Sequence, residues 1–191
     1  LARRAADGRG LTRPELAVLL SSAKLAIQGD LERSAVPDDP GLEEVLLSSF
    51  PPAMQAGFRK QLLGHRLRRE IIATELANAI VNRLGIVHPF ELTEEEGASL
   101  AHVCAAFVSA CRLFGLGAIH ARLDRAAMDE GARLLAFSRL AAITRSHMAD
   151  LLRAGAGTMP SGELEAQLKP GIDALLADVD RLLREEARQH S

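Results

Sequence analysis

The sequence contains no tryptophan and no tyrosine, and six phenylalanines are its only other aromatic residues apart from histidine. Proteins that stack on bases or sugar rings use aromatic side chains as platforms, so this chain has little with which to do so. Its formal net charge is −2, which gives no overall attraction to nucleic acid or to an anionic membrane surface. We therefore expect neither nucleic acid nor membrane among its partners.

Cysteine is also scarce, and the two cysteines, Cys104 and Cys111, lie within one predicted helix. Two helical turns would separate their Cα atoms by roughly 10 Å, which is beyond the reach of a disulfide. We expect two free thiols and a reduced, cytoplasmic setting. There is no apolar run long enough to cross a membrane and no apolar signal core. Because the chain begins without an initiating Met, we expect it to be a segment of a longer polypeptide.

Motifs of the common catalytic sites are missing as well. DGRG and GAGTM are isolated glycine pairs without a preceding strand, which does not match a phosphate or dinucleotide loop. The six histidines are scattered singly, and His102 and Cys104 lie on nearly opposite faces of a predicted helix. Neither a zinc signature nor a serine nucleophile elbow occurs. We therefore predict no catalytic, cofactor-binding or metal-ligating residue in this chain.

What the sequence does contain is helical patterning along most of its length. Its 191 residues are 48% hydrophobic and 25% charged, which is typical of a globular protein with a sizeable core. Thr12 and Glu15 form a capping box at the start of an apolar stretch with helical spacing. No stretch alternates convincingly between apolar and polar residues. We predict an all-α bundle of about seven to nine helices with no sheet.

Several later boundaries are marked by turn and capping residues. Asp39, followed by Pro40, is predicted to cap a short helix. Thr93 and Glu96 suggest a second capping box, with the acidic run at residues 94–96 at the positive end of the next helix. A helical pair is expected through residues 116–153. We predict a helical domain at residues 1–153, a linker at 154–160, and a C-terminal helical extension at 161–191 packed on the same bundle.

A long amphipathic pattern, HRLRREIIATELANAIVNRLG at residues 65–85, carries a line of polar residues. A spacing of four stacks five of them on one helix face, with Arg69 beside them. Together these six residues are called the polar ridge: Arg66, Arg69, Glu70, Thr74, Asn78 and Asn82. Apolar residues flank it on both sides, so we expect the helix to be buried nearly all round. The ridge then either completes hydrogen bonds inside the bundle or contacts another domain.

The basic start of this helix also raises the possibility of a helix-turn-helix protein. Arg66, Arg68 and Arg69 could contact phosphate groups. The rest of the helix, however, is too apolar to lie in a DNA groove, and the whole chain is slightly acidic. These observations argue against nucleic-acid binding.

Four stretches carry a family resemblance: LTRPELAVLLSSAKLAI at 11–27, VPDDP at 36–40, SFPP at 49–52, and HRLRREIIATELANAIVNRLG at 65–85. Together they resemble the C-terminal region of the large bacterial NAD-dependent glutamate dehydrogenases. The resemblance is dense over residues 8–90 and looser to 153. It implies a parent enzyme with several domains that oxidises L-glutamate to 2-oxoglutarate and ammonium, with NAD as cofactor.

The family's glycine-rich lysine motif, catalytic Lys and Asp, and Rossmann glycine loop do not occur in these residues. The resemblance therefore implies a non-catalytic helical domain that follows the catalytic core and serves packing, assembly or regulation. Its expected partner is the catalytic core of the same polypeptide, with a homo-oligomer of the parent as an open possibility. The polar ridge is the candidate contact surface. The alternative is a free-standing helical interaction module, in which the same ridge binds a separate protein.

Overall fold

A computed structural model describes residues 10–189, without the side chains of residues 176, 179, 180 and 182–189. Within that range the chain forms nine α-helices, two short 3-10 helices and no β-strand, which confirms the predicted all-α bundle. The α-helices are α1 (Arg13–Arg33), α2 (Glu43–Ser48), α3 (Pro52–Leu63), α4 (Arg68–Leu84), α5 (Val87–Glu96), α6 (Leu100–Leu113), α7 (Leu116–Arg125), α8 (Glu130–Arg153) and α9 (Ser161–Gln189). The 3-10 helices Val36–Asp38 and Pro40–Leu42 connect α1 to α2.

Capping residues set the first helix boundaries as predicted. The Glu15 carboxylate accepts a hydrogen bond from the Thr12 backbone N–H at 2.8 Å, which completes the capping box of α1. Asp39 accepts from the Gly41 N–H at 2.8 Å, although the helix that it caps is a 3-10 turn. Each cap satisfies an N–H group that has no partner within its own helix. α4 ends at Gly85, as expected, where φ is 75°.

The capping box predicted at Thr93 and Glu96 is wrong. Thr93 lies inside α5, where its Oγ1 donates to the Phe90 carbonyl at 2.7 Å. α5 ends at Glu96, and Gly97 follows in the left-handed region with φ at 64°. The acidic run therefore lies at the negative end of a helix, opposite to the predicted position.

The next helix begins instead with a local cap at Ser99 and a second cap from a distant part of the chain. The Ser99 side chain accepts from the backbone N–H of His102 at 3.2 Å, and the Asp30 carboxylate of α1 accepts from that of Ala101 at 2.9 Å. Arginines of α8 compensate the displaced acidic run, since Arg145 pairs with Glu95. Ser99 and the long-range contact with Asp30 therefore set the start of α6, rather than the predicted pair of Thr93 and Glu96.

α4 and α6 form the centre of the bundle. α4 packs against α1, α2, α5, α6 and α8, while α6 packs against α1, α5, α8 and α9. Fully buried side chains at the centre come from four helices: Ile27, Leu31, Ile72, Ile80, Val103 and Met148. α1 and α4 run antiparallel. Lys24, in the middle of α1, contacts Asn82 near the end of α4, whereas Glu32, at the end of α1, contacts Arg69 at the start of α4. Glu70 and Asn82 are the exposed residues of α4.

Among residues 10–189, no single helix is long and apolar enough to span a membrane. α6 and α7 meet the length and composition criteria only as a pair, and a bend of 72° separates them.

Both cysteines are free thiols in the described structure, with Cys104 buried and Cys111 half-buried. Burial raises the pKa of the Cys104 thiol, and the nearby Asp30 carboxylate raises it further. Burial also raises the pKa of Cys111, although Arg83 and Arg112 partly oppose this effect. Since the thiolate is the reactive form, both cysteines should react slowly in the folded chain.

We expect the Ellman reagent to modify both thiols slowly under native conditions and rapidly in guanidinium chloride without a reductant. A disulfide between the two cysteines would leave no free thiol after denaturation. Either that result, or a native Cys104 that reacts as fast as a small free thiol, would contradict this arrangement.

Candidate interdomain contact surface

The polar ridge lies at the surface of the bundle. Seven residues of α4 are buried, and they include Leu76 and Ile80 on the opposite side of the helix. Three ridge residues are exposed (Arg66, Glu70 and Asn82), and three are half-buried (Arg69, Thr74 and Asn78). Within α4 only Glu70 and Asn82 are exposed, so the helix is buried or half-buried nearly all round, as expected, except at these two ridge positions. The apolar flank beyond the ridge is partly uncovered, and the Leu67 side chain at its start is 44% exposed.

Three ridge residues, Arg69, Thr74 and Asn82, have polar partners within the bundle. Thr74 Oγ1 donates to the backbone carbonyl of Glu70 at 2.8 Å, which is a bond within the same helix. Asn82 Oδ1 accepts from Lys24 Nζ of α1 at 3.2 Å. The Thr74 contact lies within α4, and the Asn82 contact joins the end of α4 to the neighbouring α1. They leave the middle of the ridge open.

Three ridge side chains have no polar partner among residues 10–189. The Arg66 guanidinium, the Glu70 carboxylate and the Asn78 amide make no hydrogen bond or ion pair there. Asn78 is half-buried on the helix surface, and its amide offers both donors and an acceptor. The middle of the ridge is thus a mixed polar and apolar surface with unused hydrogen-bonding groups.

Arg69 has a different role from the rest of the ridge. Its guanidinium donates to the backbone carbonyls of Glu32 at 2.9 Å and Ser34 at 2.7 Å, at the C-terminal end of α1. The last carbonyls of a helix lack partners within the helix, so Arg69 satisfies groups that would otherwise need water. It also pairs with Asp38, as does Arg68. Arg69 therefore fixes the start of α4 and positions the neighbouring Arg66 and Glu70.

A second polar cluster was not predicted from the sequence. The Asp39 carboxylate accepts from the Gly41 N–H at 2.8 Å and, through its other oxygen, from the Ser161 N–H at 2.8 Å. Arg112 of α6 donates to Ser161 Oγ at 3.1 Å and to the Glu165 carboxylate at 3.2 Å. These five residues are called the Asp39 clamp. The clamp ties the start of α9 to the connection between α1 and α2.

Electrostatics favour the ionised form of Asp39. Burial alone would raise its pKa, but the hydrogen bonds from Ser161 and Gly41 and the charge of Arg112 outweigh burial. Together they hold the pKa of Asp39 below its ordinary value of 3.8. From the sequence, Asp39 was predicted only to cap a short helix nearby. Its second partner lies 122 residues further along the chain, where no local spacing could reveal it.

The described residues contain no group of three or more His, Cys, Asp or Glu side chains that could hold a metal ion. The polar ridge contains two arginines and three side chains without a polar partner among the described residues, and the exposed Leu67 lies beside it. The Asp39 clamp consists of paired groups that stabilise the fold.

Comparison with known proteins assigns the sequence to a family. A family profile described as "Glutamate dehydrogenase, C-terminal" matches residues 8–191. NAD-specific glutamate dehydrogenases of Halomonas elongata and Pseudomonas aeruginosa are each 40% identical to the chain over 116 residues, which is 61% of this chain and 7% of each relative. The NAD-specific glutamate dehydrogenase of Mycobacterium tuberculosis is 35% identical over 126 residues, covering 66% of this chain and 8% of the relative.

The matched region is thus a small part of each relative. The family profile, by contrast, extends over almost the whole chain, including the polar ridge and the Asp39 clamp. The chain therefore belongs to the family of glutamate dehydrogenase C-terminal regions.

Proposed function

We propose that the chain is the non-catalytic C-terminal helical domain of a cytoplasmic NAD-dependent glutamate dehydrogenase. The parent reaction converts L-glutamate, NAD and water to 2-oxoglutarate, ammonium and NADH. Three relatives bear the name NAD-specific glutamate dehydrogenase, and the match covers only 7–8% of their length, which leaves ample chain for a catalytic core. The sequence has no dinucleotide loop of its own. NAD and glutamate would bind in the catalytic core of the same polypeptide.

The role proposed for this domain is packing against that core through the polar ridge. The observation that carries the proposal is the set of unused hydrogen-bonding groups along α4 and the turn before it. Arg66, Glu70 and Asn78 have no polar partner among the described residues, and Leu67 beside them is 44% exposed. A matching surface would offer acceptors to Arg66, donors to Glu70 and both kinds of group to Asn78. Arginine with apolar neighbours is typical of protein interfaces.

Replacement of Asn78 by leucine tests this role. In the 191-residue chain, Asn78 has no internal partner to lose, so the free energy of unfolding should change by no more than about 0.5 kcal/mol. In the full-length enzyme, polar groups of the catalytic core that face Asn78 would be left unpaired at a contact without water. Assembly or turnover should therefore fall. Urea denaturation of the chain, with turnover and sedimentation of the full-length enzyme, measures both effects.

Ser146→Leu is the matched control, because Ser146 is also a polar residue on a helix surface but lies on α8. It should leave the free energy of unfolding of the chain, and the turnover and assembly of the full-length enzyme, nearly unchanged. The opposite pattern for Asn78→Leu, a strongly destabilised chain with normal assembly and turnover of the parent, would assign the ridge to internal structure.

A further inference from the structure

A cavity of about 440 Å³ opens between the α1–α2 connection, α6 and the turn that precedes α9. Small-molecule sites in proteins are mostly apolar clefts of about 300–1,000 Å³ with a few polar groups, and this cavity lies within that range. Its apolar lining comes from three separate segments: Val36, Pro40, Leu42, Ala105, Val108 and Met159. A molecule held there would contact all three segments at once.

Most polar groups around the cavity are already engaged. Asp39 and Ser161 are bonded to each other within the Asp39 clamp. Asp38 pairs with the guanidinium groups of Arg68 and Arg69, neither of which lines the cavity. These carboxylates therefore need no further partner. In the one wall that they occupy they present oxygen atoms, which accept hydrogen bonds but offer no donor to an anion.

His102 is the exception, since its imidazole has no recorded polar partner within residues 10–189. It lies in the cavity wall on α6, directly against Gly157. A Cβ atom added at Gly157 would lie 2.6 Å from Cδ2 of His102, and Gly157 has φ at 86°, which favours glycine. The turn thus passes close to the ring, and the imidazole nitrogens are free to bond a guest molecule.

We infer that this cavity binds a small, uncharged, mainly apolar molecule with one hydrogen-bonding group for His102. The lining supplies the apolar contact, and the imidazole supplies the single polar interaction that fixes orientation. An anion would meet the oxygens of Asp38 and Asp39, while a cation would find both carboxylates already paired. This site is independent of the polar ridge, which lies on α4. Because Ser161 and Met159 line the cavity, binding would also hold α9 in place.

Indole is a suitable probe, since it is uncharged, apolar and carries one N–H donor. The chain contains no tryptophan, so indole fluorescence can be followed without a protein background. We expect saturable binding, a higher melting temperature, and amide NMR shifts confined to the cavity around His102, Ala105 and Thr158. Indole-3-carboxylate has the same ring with an anionic group. We expect it to bind at least about tenfold more weakly, a difference of one decade in Kd.

Two variants and a control complete the test. Ala105→Leu should fill the cavity from the α6 wall and abolish binding, while His102→Phe should weaken it by about tenfold, through loss of the hydrogen bond. Ala142→Leu makes the same change on the exposed face of α8 and should bind indole as the unaltered chain does. Circular dichroism checks that each variant is folded.

Three results would overturn the assignment: unchanged binding by a folded Ala105→Leu variant, equal affinity for the carboxylate, or NMR shifts that lie outside the cavity. The shift map uses the unaltered chain, so it decides the matter even if a variant fails to fold. Loss of indole binding would leave the docking role of the polar ridge unaffected, because the two sites share no residue.

Discussion

Replacing Asp39 with alanine should lower the free energy of unfolding of the chain by about 1–2 kcal/mol and should loosen the start of α9. The change removes the acceptor for the backbone N–H groups of Gly41 and Ser161. It also removes the negative charge of Asp39 that lies near Arg112. Asp39 is only half-buried, so water can partly replace these bonds and the loss stays moderate. Urea denaturation measures the stability, and limited proteolysis at residues 154–160 measures the release of α9.

Asp124→Ala is the control for that experiment, because Asp124 is exposed on α7. Its free energy of unfolding should stay within about 0.5 kcal/mol of the unaltered chain. Equal losses in the two variants, or no increase in cleavage for Asp39→Ala, would show that the clamp does not hold α9.

The stabilisation by Asp39 should also depend on pH in a defined direction. The pKa of Asp39 in the folded chain lies below its ordinary value of 3.8. The contribution is therefore fully present above that ordinary value and is lost as the pH falls through the folded pKa. The stability difference from Asp39→Asn should be constant between about pH 5 and pH 7 and should shrink below about pH 4. A difference that stays the same at about pH 3 would contradict the ionised clamp.

Arg69→Ala should destabilise the chain by about 1–3 kcal/mol, whereas Arg66→Ala should change its stability by less than about 0.5 kcal/mol. Both arginines belong to the polar ridge, with Arg69 in the first turn of α4 and Arg66 in the turn before it. Arg69, however, donates to the Glu32 and Ser34 carbonyls and pairs with Asp38, while Arg66 has no polar partner among the described residues. Urea denaturation of the two variants separates the internal role from the surface role.

In the full-length enzyme we expect assembly, rather than the stability of this domain, to depend on Arg66. Arg66→Ala should weaken assembly without destabilising this domain, since its guanidinium is available only to a facing surface. Sedimentation of the full-length variants at low and high salt provides the measurement. If Arg66→Ala destabilises the isolated chain as much as Arg69→Ala does, the assignment of Arg66 to the contact surface is wrong.

Local sequence signals predicted helix boundaries where the capping groups are close along the chain. Thr12 and Glu15 are three residues apart, and Asp39 lies two residues before Gly41, so short-range chemistry was sufficient. The box at Thr93 failed because the same residue pattern also occurs inside helices. The start of α6 has a local cap at Ser99, and a second one from Asp30, which lies 71 residues before Ala101 in sequence.

The candidate surface was predictable only in part, for the same reason. A spacing of four placed five ridge residues on one line of a helix, and the structure keeps the four from Glu70 to Asn82 there. The prediction is wrong for Arg66, which lies in the turn before α4. A helical wheel, however, does not show which side of the helix is covered, so the exposure of Leu67 was missed. The distinct role of Arg69 depends on the end of α1, which is more than 30 residues away in sequence.

Hydroxyl-radical footprinting is the most direct test of docking through the polar ridge. Leu67 is 44% exposed beside the ridge, while Leu134 on α8 is 64% exposed and serves as the reference in the same sample. Mass spectrometry would compare the oxidation of Leu67, relative to Leu134, in the 191-residue chain and in the full-length enzyme. We predict that Leu67 is oxidised readily in the chain and becomes protected in the full-length enzyme. Equal relative oxidation of Leu67 in the two proteins would contradict docking through this face of α4.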